Sequence, residues 1–181
     1  PARLVYEDML DKYQRKTDLP LNDVDFGNII RELAAKQHAG KKSISTNEVS
    51  EILGSYPNEE SILAELSSGG ILQRKVGQQY TVNGTLLAYG LGLLLADEAL
   101  EASSDPSIDL REFIAQWLEP CAEMDIKSLI REVAALHVLE TPEYSLDARM
   151  ILLHFWVTSQ NPPPNIERCF VAYFPVAPDA Y

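Results

Sequence analysis

The chain is poor in the residues from which most active sites are built. It holds two cysteines and three histidines in 181 residues. Cys121 and Cys169 lie far apart in apolar or amphipathic surroundings, a pattern of buried free thiols suited to a reducing, cytoplasmic setting. Four motifs are missing: the phosphate loop Gly-x-x-x-x-Gly-Lys-Ser/Thr, the dinucleotide fingerprint Gly-x-Gly-x-x-Gly, the zinc signature His-Glu-x-x-His and paired zinc cysteines. An Asp-rich calcium loop is missing too. These absences argue against a complete nucleotide hydrolase or metalloenzyme within the chain, and no cofactor or metal is expected. Long apolar runs are also scarce. The longest, Leu86 to Ala96, has eleven residues, short of the roughly 20 that span a bilayer. It reads as a buried helix, with no membrane partner expected. The chain starts at Pro1 and ends on a proline-rich stretch, so a piece of a longer multidomain protein is expected.

Positive charge is scarce as well. Fifteen basic against 27 acidic residues leave a net charge of −12. Before Ser43 the balance is nearly even, eight basic and seven acidic; from Ser43 onward it is seven and twenty. A nucleic acid would have to be held against the field of the whole molecule.

Helical spacing occurs over residues 4–14 and again from about Asn22 to Gln37, where Val24, Phe26, Ile29, Ile30, Leu33 and Ala34 recur on one face. Asn22 or Asp23 is the expected cap, and Gly40 the expected left-handed stop. Ser45-Thr-Asn-Glu48 matches a capping box and predicts a short helix to Leu53 with Val49, Ile52 and Leu53 inward. After the turn Gly54-Ser-Tyr-Pro-Asn58, Asn58 is the expected cap of a second helix, with Ile62, Leu63 and Leu66 inward and Glu59, Glu60 and Glu65 facing solvent. Two strands, 71–76 and 79–82, flank Gly77-Gln78 as a hairpin. The layout is that of a winged helix-turn-helix, with Ile62, Leu63, Leu66, Ile71, Val76 and Tyr80 as its expected core.

Beyond Asn83 the pattern is helical: about 85–102, 108–118, 122–138 and 146–157, with Pro120 closing the second. Gly90 and Gly92 inside the first cost about 1 kcal/mol each against alanine, which predicts close approach of another element. Asn161-Pro-Pro-Pro-Asn165 reads as a rigid linker, and 166–174 as a short helix or strand. The expected fold is mostly α: a winged helix with a small β-hairpin, then an all-helical bundle or stacked helix pairs. The expected division is an N-terminal helix or linker (1–20), the winged helix (21–84), a helical domain (85–160) and the remainder (161–181).

The residues able to carry chemistry have plainer expected roles. His137 and His154 lie in apolar helical patterns and His38 at a helix C-terminus, where a cation suits the dipole. An enzyme reading would use His137, His154 and Cys121 together, without an orienting motif around them. The acid groups Asp97 with Glu98, Glu101 with Asp105, and Glu119 with Glu123 and Asp125 fall at helix ends and on polar faces. In the helix that a DNA reader would insert, Arg, Lys, Asn or Gln should meet base edges and the N-terminus should meet phosphate. Here that helix opens Asn58-Glu59-Glu60. Lys41, Lys42, Arg74 and Lys75 are the candidate backbone contacts for a rival reading as a DNA-binding regulator. A protein partner is preferred, with Glu59, Glu60 and Glu65 as its contact residues.

Leu66-Ser-Ser-Gly-Gly-Ile-Leu-Gln-Arg74, Gln79-Tyr-Thr-Val-Asn83 and the apolar helix from Leu86 together resemble the winged-helix module that follows the ATPase core in signal-transducing NTPases of the NACHT and NB-ARC type. The resemblance covers residues 22–102, and the later helices resemble the region linking the ATPase to its sensor. It implies a regulatory or scaffolding fragment, ATP or ADP bound elsewhere in the parent, self-association after activation and a neighbouring effector or sensor domain. Family members often place a nucleotide-contacting histidine just after the second wing strand. The matching position is Asn83, or less well Gly84, which makes Asn83 the candidate cofactor-contact residue and departs from the family pattern.

Overall fold

Helix α1 (Asp23–His38) places Phe26, Ile29, Ile30, Leu33, Ala34 and Gln37 on one side, the three-to-four-residue spacing of a single helical face. All of them are buried, the five apolar ones to within 1% exposure. Full burial of each large aliphatic or aromatic member is worth about 1.5–3 kcal/mol. Asn22 caps the helix, its Oδ1 accepting the Asp25 amide at 2.9 Å. In this computed structural model the described residues are 8, 11–13, 15, 21–38, 42–121, 126–141, 148–150 and 152. They divide into two compact units, residues 1–94 and 95–181.

In the first unit a two-residue strand, β1 (Ile44–Ser45), precedes helix α2 (Thr46–Leu53). The sequence pattern did not mark β1, because two residues carry no period. The predicted capping box is present: Ser45 Oγ accepts the Glu48 amide at 3.3 Å while Glu48 Oε2 accepts the Ser45 amide at 3.0 Å. Val49, Ile52 and Leu53 face inward.

Helix α3 (Glu59–Ser68) follows the turn, with Ile62 and Leu66 fully buried and Leu63 half-buried. Asn58 precedes it without capping it. Its backbone is left-handed, φ 66° and ψ 43°, where a capping side chain needs the extended region, and it makes no side-chain cap bond. The far end is closed by the backbone: Gly70, at φ 73°, donates to the Ser67 carbonyl and Ile71 to that of Leu66. That paired pattern turns the chain out of the helix into the sheet.

Strands β2 (Leu72–Lys75) and β3 (Gln79–Val82) form the expected hairpin, and the antiparallel sheet has the order β1-β3-β2. Leu72 faces Val82, Arg74 faces Tyr80, and Ile44 faces Tyr80 from the other side. Gly77 and Gln78 both have positive φ, 77° and 58°, as a tight hairpin turn requires. Val76 was expected in the core and is 97% exposed. The strand ends at Lys75, and the buried part of the hairpin ends at Tyr80, so the turn carries Val76 past the helices.

β1 is too short to pair with all of β3, and the buried Gln37 side chain completes it. Its Oε1 accepts the Val82 amide at 2.9 Å, the position a longer β1 would occupy. Helix α4 (Gly84–Ser103) begins directly after Asn83. Gly90 lies so close to α1 that a Cβ there would sit 2.7 Å from the Ala34 Cβ and 3.1 Å from the Ile30 carbonyl oxygen. The close approach predicted from this glycine is therefore present, and the first half of α4 belongs to the first unit.

In the second unit the later part of α4 buries Leu95, Ala96, Ala99 and Ala102. Helix α5 (Leu110–Trp117) is capped by Asp109, whose Oδ1 accepts the Arg111 and Glu112 amides, and it buries Leu110, Ile114 and Trp117. A 3-10 turn, Glu119–Cys121, contains Pro120 and ends that segment. Helix α6 (Lys127–Glu140) starts later than the predicted 122, and residues 122–125 lie outside the described residues. Ala148 to Met150 and Leu152 are helical; the linker and final segment expected at 161–181 lie outside the described residues. The described residues are thus mostly helical with a small antiparallel sheet. Among the described residues no helix is long and apolar enough to cross a membrane.

Gly90→Ala should lower stability by about 1–3 kcal/mol through overpacking, although alanine is the better helix former; urea unfolding followed by far-UV circular dichroism measures it, and an unchanged or raised midpoint contradicts the close crossing. Gln37→Leu should cost about 1–3 kcal/mol by leaving the Val82 amide buried without an acceptor. Hydrogen exchange at Val82 should accelerate in that variant well beyond exchange at Tyr80.

Candidate contact surface

Helix α3 turns its polar side away from Ile62 and Leu66. Glu60, Ser61, Ala64, Ser67 and Ser68 are exposed, and Glu59 and Glu65 are half-buried rather than fully solvated as expected. Two carboxylates, Glu59 and Glu60, occupy its first turn, and its last turn has no basic residue. The partial positive charge of the helix N-terminus is thus already matched by side-chain anions. A phosphate placed there meets both of them. What remains is a short face of carboxylates and small side chains.

The candidate basic residues do not converge on one face. Arg74 and Lys75 are exposed neighbours on β2, and successive strand side chains point to opposite sides of a sheet. Lys42 is exposed before β1; Lys41 lies outside the described residues. Lys36 forms an exposed ion pair with Glu51 at 3.3 Å, and Arg15 one with Asp11 at 3.1 Å. Such pairs contribute little to stability.

Asn83 is the joint between sheet and helix. Its amide donates to the Ile71 carbonyl at 2.8 Å, its own carbonyl accepts from Leu87 at 2.8 Å, and its Oδ1 accepts the Thr85 amide at 3.1 Å. The side-chain oxygen therefore caps α4.

The other polar candidates have structural partners. His137 Nε2 lies 3.8 Å from Asp97 Oδ1, linking α6 to α4. Glu98 Oε2 accepts the Trp117 indole N–H at 2.7 Å, tying α5 to α4. Asp105 accepts from both the backbone and the hydroxyl of Ser107, and these bonds hold its carboxyl below the usual range. Glu101 and Glu119 are exposed; Glu123 and Asp125 lie outside the described residues. His38 sits in the last turn of α1 with Lys36, where cations complement the dipole. Burial pushes the Cys121 thiol up, with Lys127 opposing weakly, so at neutral pH it is protonated and a poor nucleophile. His154, the remaining member of the enzyme reading, lies outside the described residues, as does Cys169. Burial lowers the Arg131 guanidinium and raises the Tyr56 phenol; the acidic side of α1, Glu32 and Asp25, raises Tyr56 further. No cluster of three metal-ligating side chains occurs among the described residues.

Two features escaped the sequence reading. Gln37 is a polar residue on an otherwise apolar helical stripe, and that misfit was the available signal. The outward edge of β2 has no sequence signal, since strand order arises only on folding. Comparison with protein-family models, with curated proteins and with solved structures returns no match.

In a Cys169→Ser background, Cys121 should react with iodoacetamide at pH 7 much more slowly than a free thiol and accelerate in urea; equal rates would show an accessible thiolate. With its folded value raised, the thiol favours the folded state below the ordinary range near ~8.5, and that contribution is lost as pH rises through the folded value.

Proposed function

We propose that residues 21–84 are a winged-helix module acting as a non-catalytic regulatory or scaffolding unit of a larger signal-transducing NTPase, and that its partner is protein. The element order α1-β1-α2-α3-β2-β3 and the sheet order β1-β3-β2 support the winged-helix reading. The observation that carries the functional reading is the pair Glu59 and Glu60 in the first turn of α3, where a DNA reader needs its helix dipole free for phosphate. On this reading the acidic face of α3 rests on a neighbouring domain of the same polypeptide, an ATPase core of NACHT or NB-ARC type, in the cytoplasm. Asn83 caps α4 in the place where such families keep a nucleotide-contacting histidine, so nucleotide sensing belongs to other parts of the parent.

The test is made on the gene's full product. Residues encoded before Pro1 should include a nucleotide-binding domain. Glu59→Lys with Glu60→Lys should weaken cross-linking of this module to that domain by about tenfold, the equivalent of about 1.4 kcal/mol. Absence of such a domain, or a contact indifferent to both charges, overturns the reading. For the rival regulator, duplex DNA should fail to bind even at low salt; binding that falls steeply with salt and depends on Lys42, Arg74 and Lys75 would favour it instead.

A further inference from the structure

The phase of the hairpin's hydrogen bonds decides which groups of β2 face outward. On β3, the Val82 amide is taken by Gln37 on the β1 side, whereas the Asn83 amide is taken by Ile71 on the β2 side. Peptide groups of successive strand residues point to alternate sides. Gln79 and Thr81 therefore share the phase of Asn83 and bond to their register partners Lys75 and Gln73. Leu72 and Arg74 are left with N–H and C=O directed away from the hairpin, along the outer edge of the sheet.

That edge is exposed, basic and held in place. Gln73, Arg74, Lys75 and Val76 are all exposed, Val76 almost completely. The turn beyond them is clamped: the Gln78 carbonyl accepts both the Thr46 amide at 3.1 Å and the Thr46 hydroxyl at 2.9 Å, and Ser43 Oγ donates to Gln79 Oε1 at 3.0 Å. An edge already fixed in extended form loses little freedom when a strand is added. Cations on an edge strand deter neutral or basic strands; the same charges select an acidic one.

The geometry points to the outer edge of β2 as the docking site for an extended acidic peptide segment of a partner protein, added to the sheet as a fourth strand. Main-chain bonds come from Arg74, since Leu72, which shares its phase, is buried to 1% exposure. Because Arg74 and Lys75 project from opposite faces, the segment should carry carboxylates at two adjacent positions, with a β-branched residue placed to meet Val76. A duplex DNA backbone finds no such match, since the two cations do not form one row. This surface is separate from the acidic face of α3 and does not rest on the ATPase contact proposed above.

The test titrates the full chain into a fluorescein-labelled peptide, Thr-Val-Glu-Glu-Val-Thr, with fluorescence anisotropy as readout. Saturable binding is expected, with slowed hydrogen exchange at the Arg74 amide. N-methylating alternate peptide amides in the phase that faces β2 should weaken binding about tenfold, and methylation in the opposite phase should not. Arg74→Ala with Lys75→Ala should weaken it comparably, whereas Glu59→Gln with Glu60→Gln should leave it unchanged. Because the methylation arm uses unaltered protein, it stands even if a variant misfolds. No saturable binding, equal binding of both methylated forms, or a short DNA duplex binding through Arg74 and Lys75 in place of the peptide overturns the proposal.

Discussion

The first unit depends on the burial of one side of α1. Phe26, Ile29, Ile30, Leu33 and Ala34 give that helix a continuous apolar face, and the close contact at Gly90 sets how near α4 comes to it. Absence of a side chain at one position is what permits the backbone of α4 to reach α1, and the contact joins the helix after the hairpin to the helix before the sheet. Gln37 extends the same helix into the sheet by supplying the acceptor that a two-residue β1 lacks. Helix and sheet are thus fastened by one side chain with no strand to replace it.

Charge is distributed so that helix α3 and the outer edge of the hairpin carry opposite signs. Helix α3 presents Glu59 and Glu60 where its dipole is positive, and the hairpin edge presents Arg74 and Lys75. A module that gripped a nucleic-acid backbone would need one sign across both. Here the two surfaces differ in sign, in a chain whose net charge is −12. Among the described residues, burial raises the Cys121 thiol, Glu98 accepts from the Trp117 indole and Asp97 lies beside His137.

Much of the fold was legible from local chemistry. The capping box at Ser45 and Glu48, the hairpin turn at Gly77-Gln78 and the long apolar helix after Asn83 each rest on interactions within a few residues, and all formed where expected. Three readings failed or were incomplete for a common reason. Asn58 has a cap's chemistry without a cap's backbone angles. Val76 continues the strand's alternation but lies beyond the last buried pair of the hairpin. β1 exists only because β3 is there to pair with it. In the candidate contact surface, the acidity of α3 was readable directly, while the half-burial of Glu59 and Glu65 and the capping role of Asn83 were not.

Residue order alone determined the helices, the hairpin and the sign of each surface, because hydrophobic period, cap chemistry, turn glycines and charge are properties of neighbouring residues. Tertiary structure decided the strand order, the acceptor for the Val82 amide, the depth of the Gly90 crossing and which peptide groups β2 turns outward. Each of these is a relation between residues far apart in the chain, and its free energy exists only after long-range packing has brought them together.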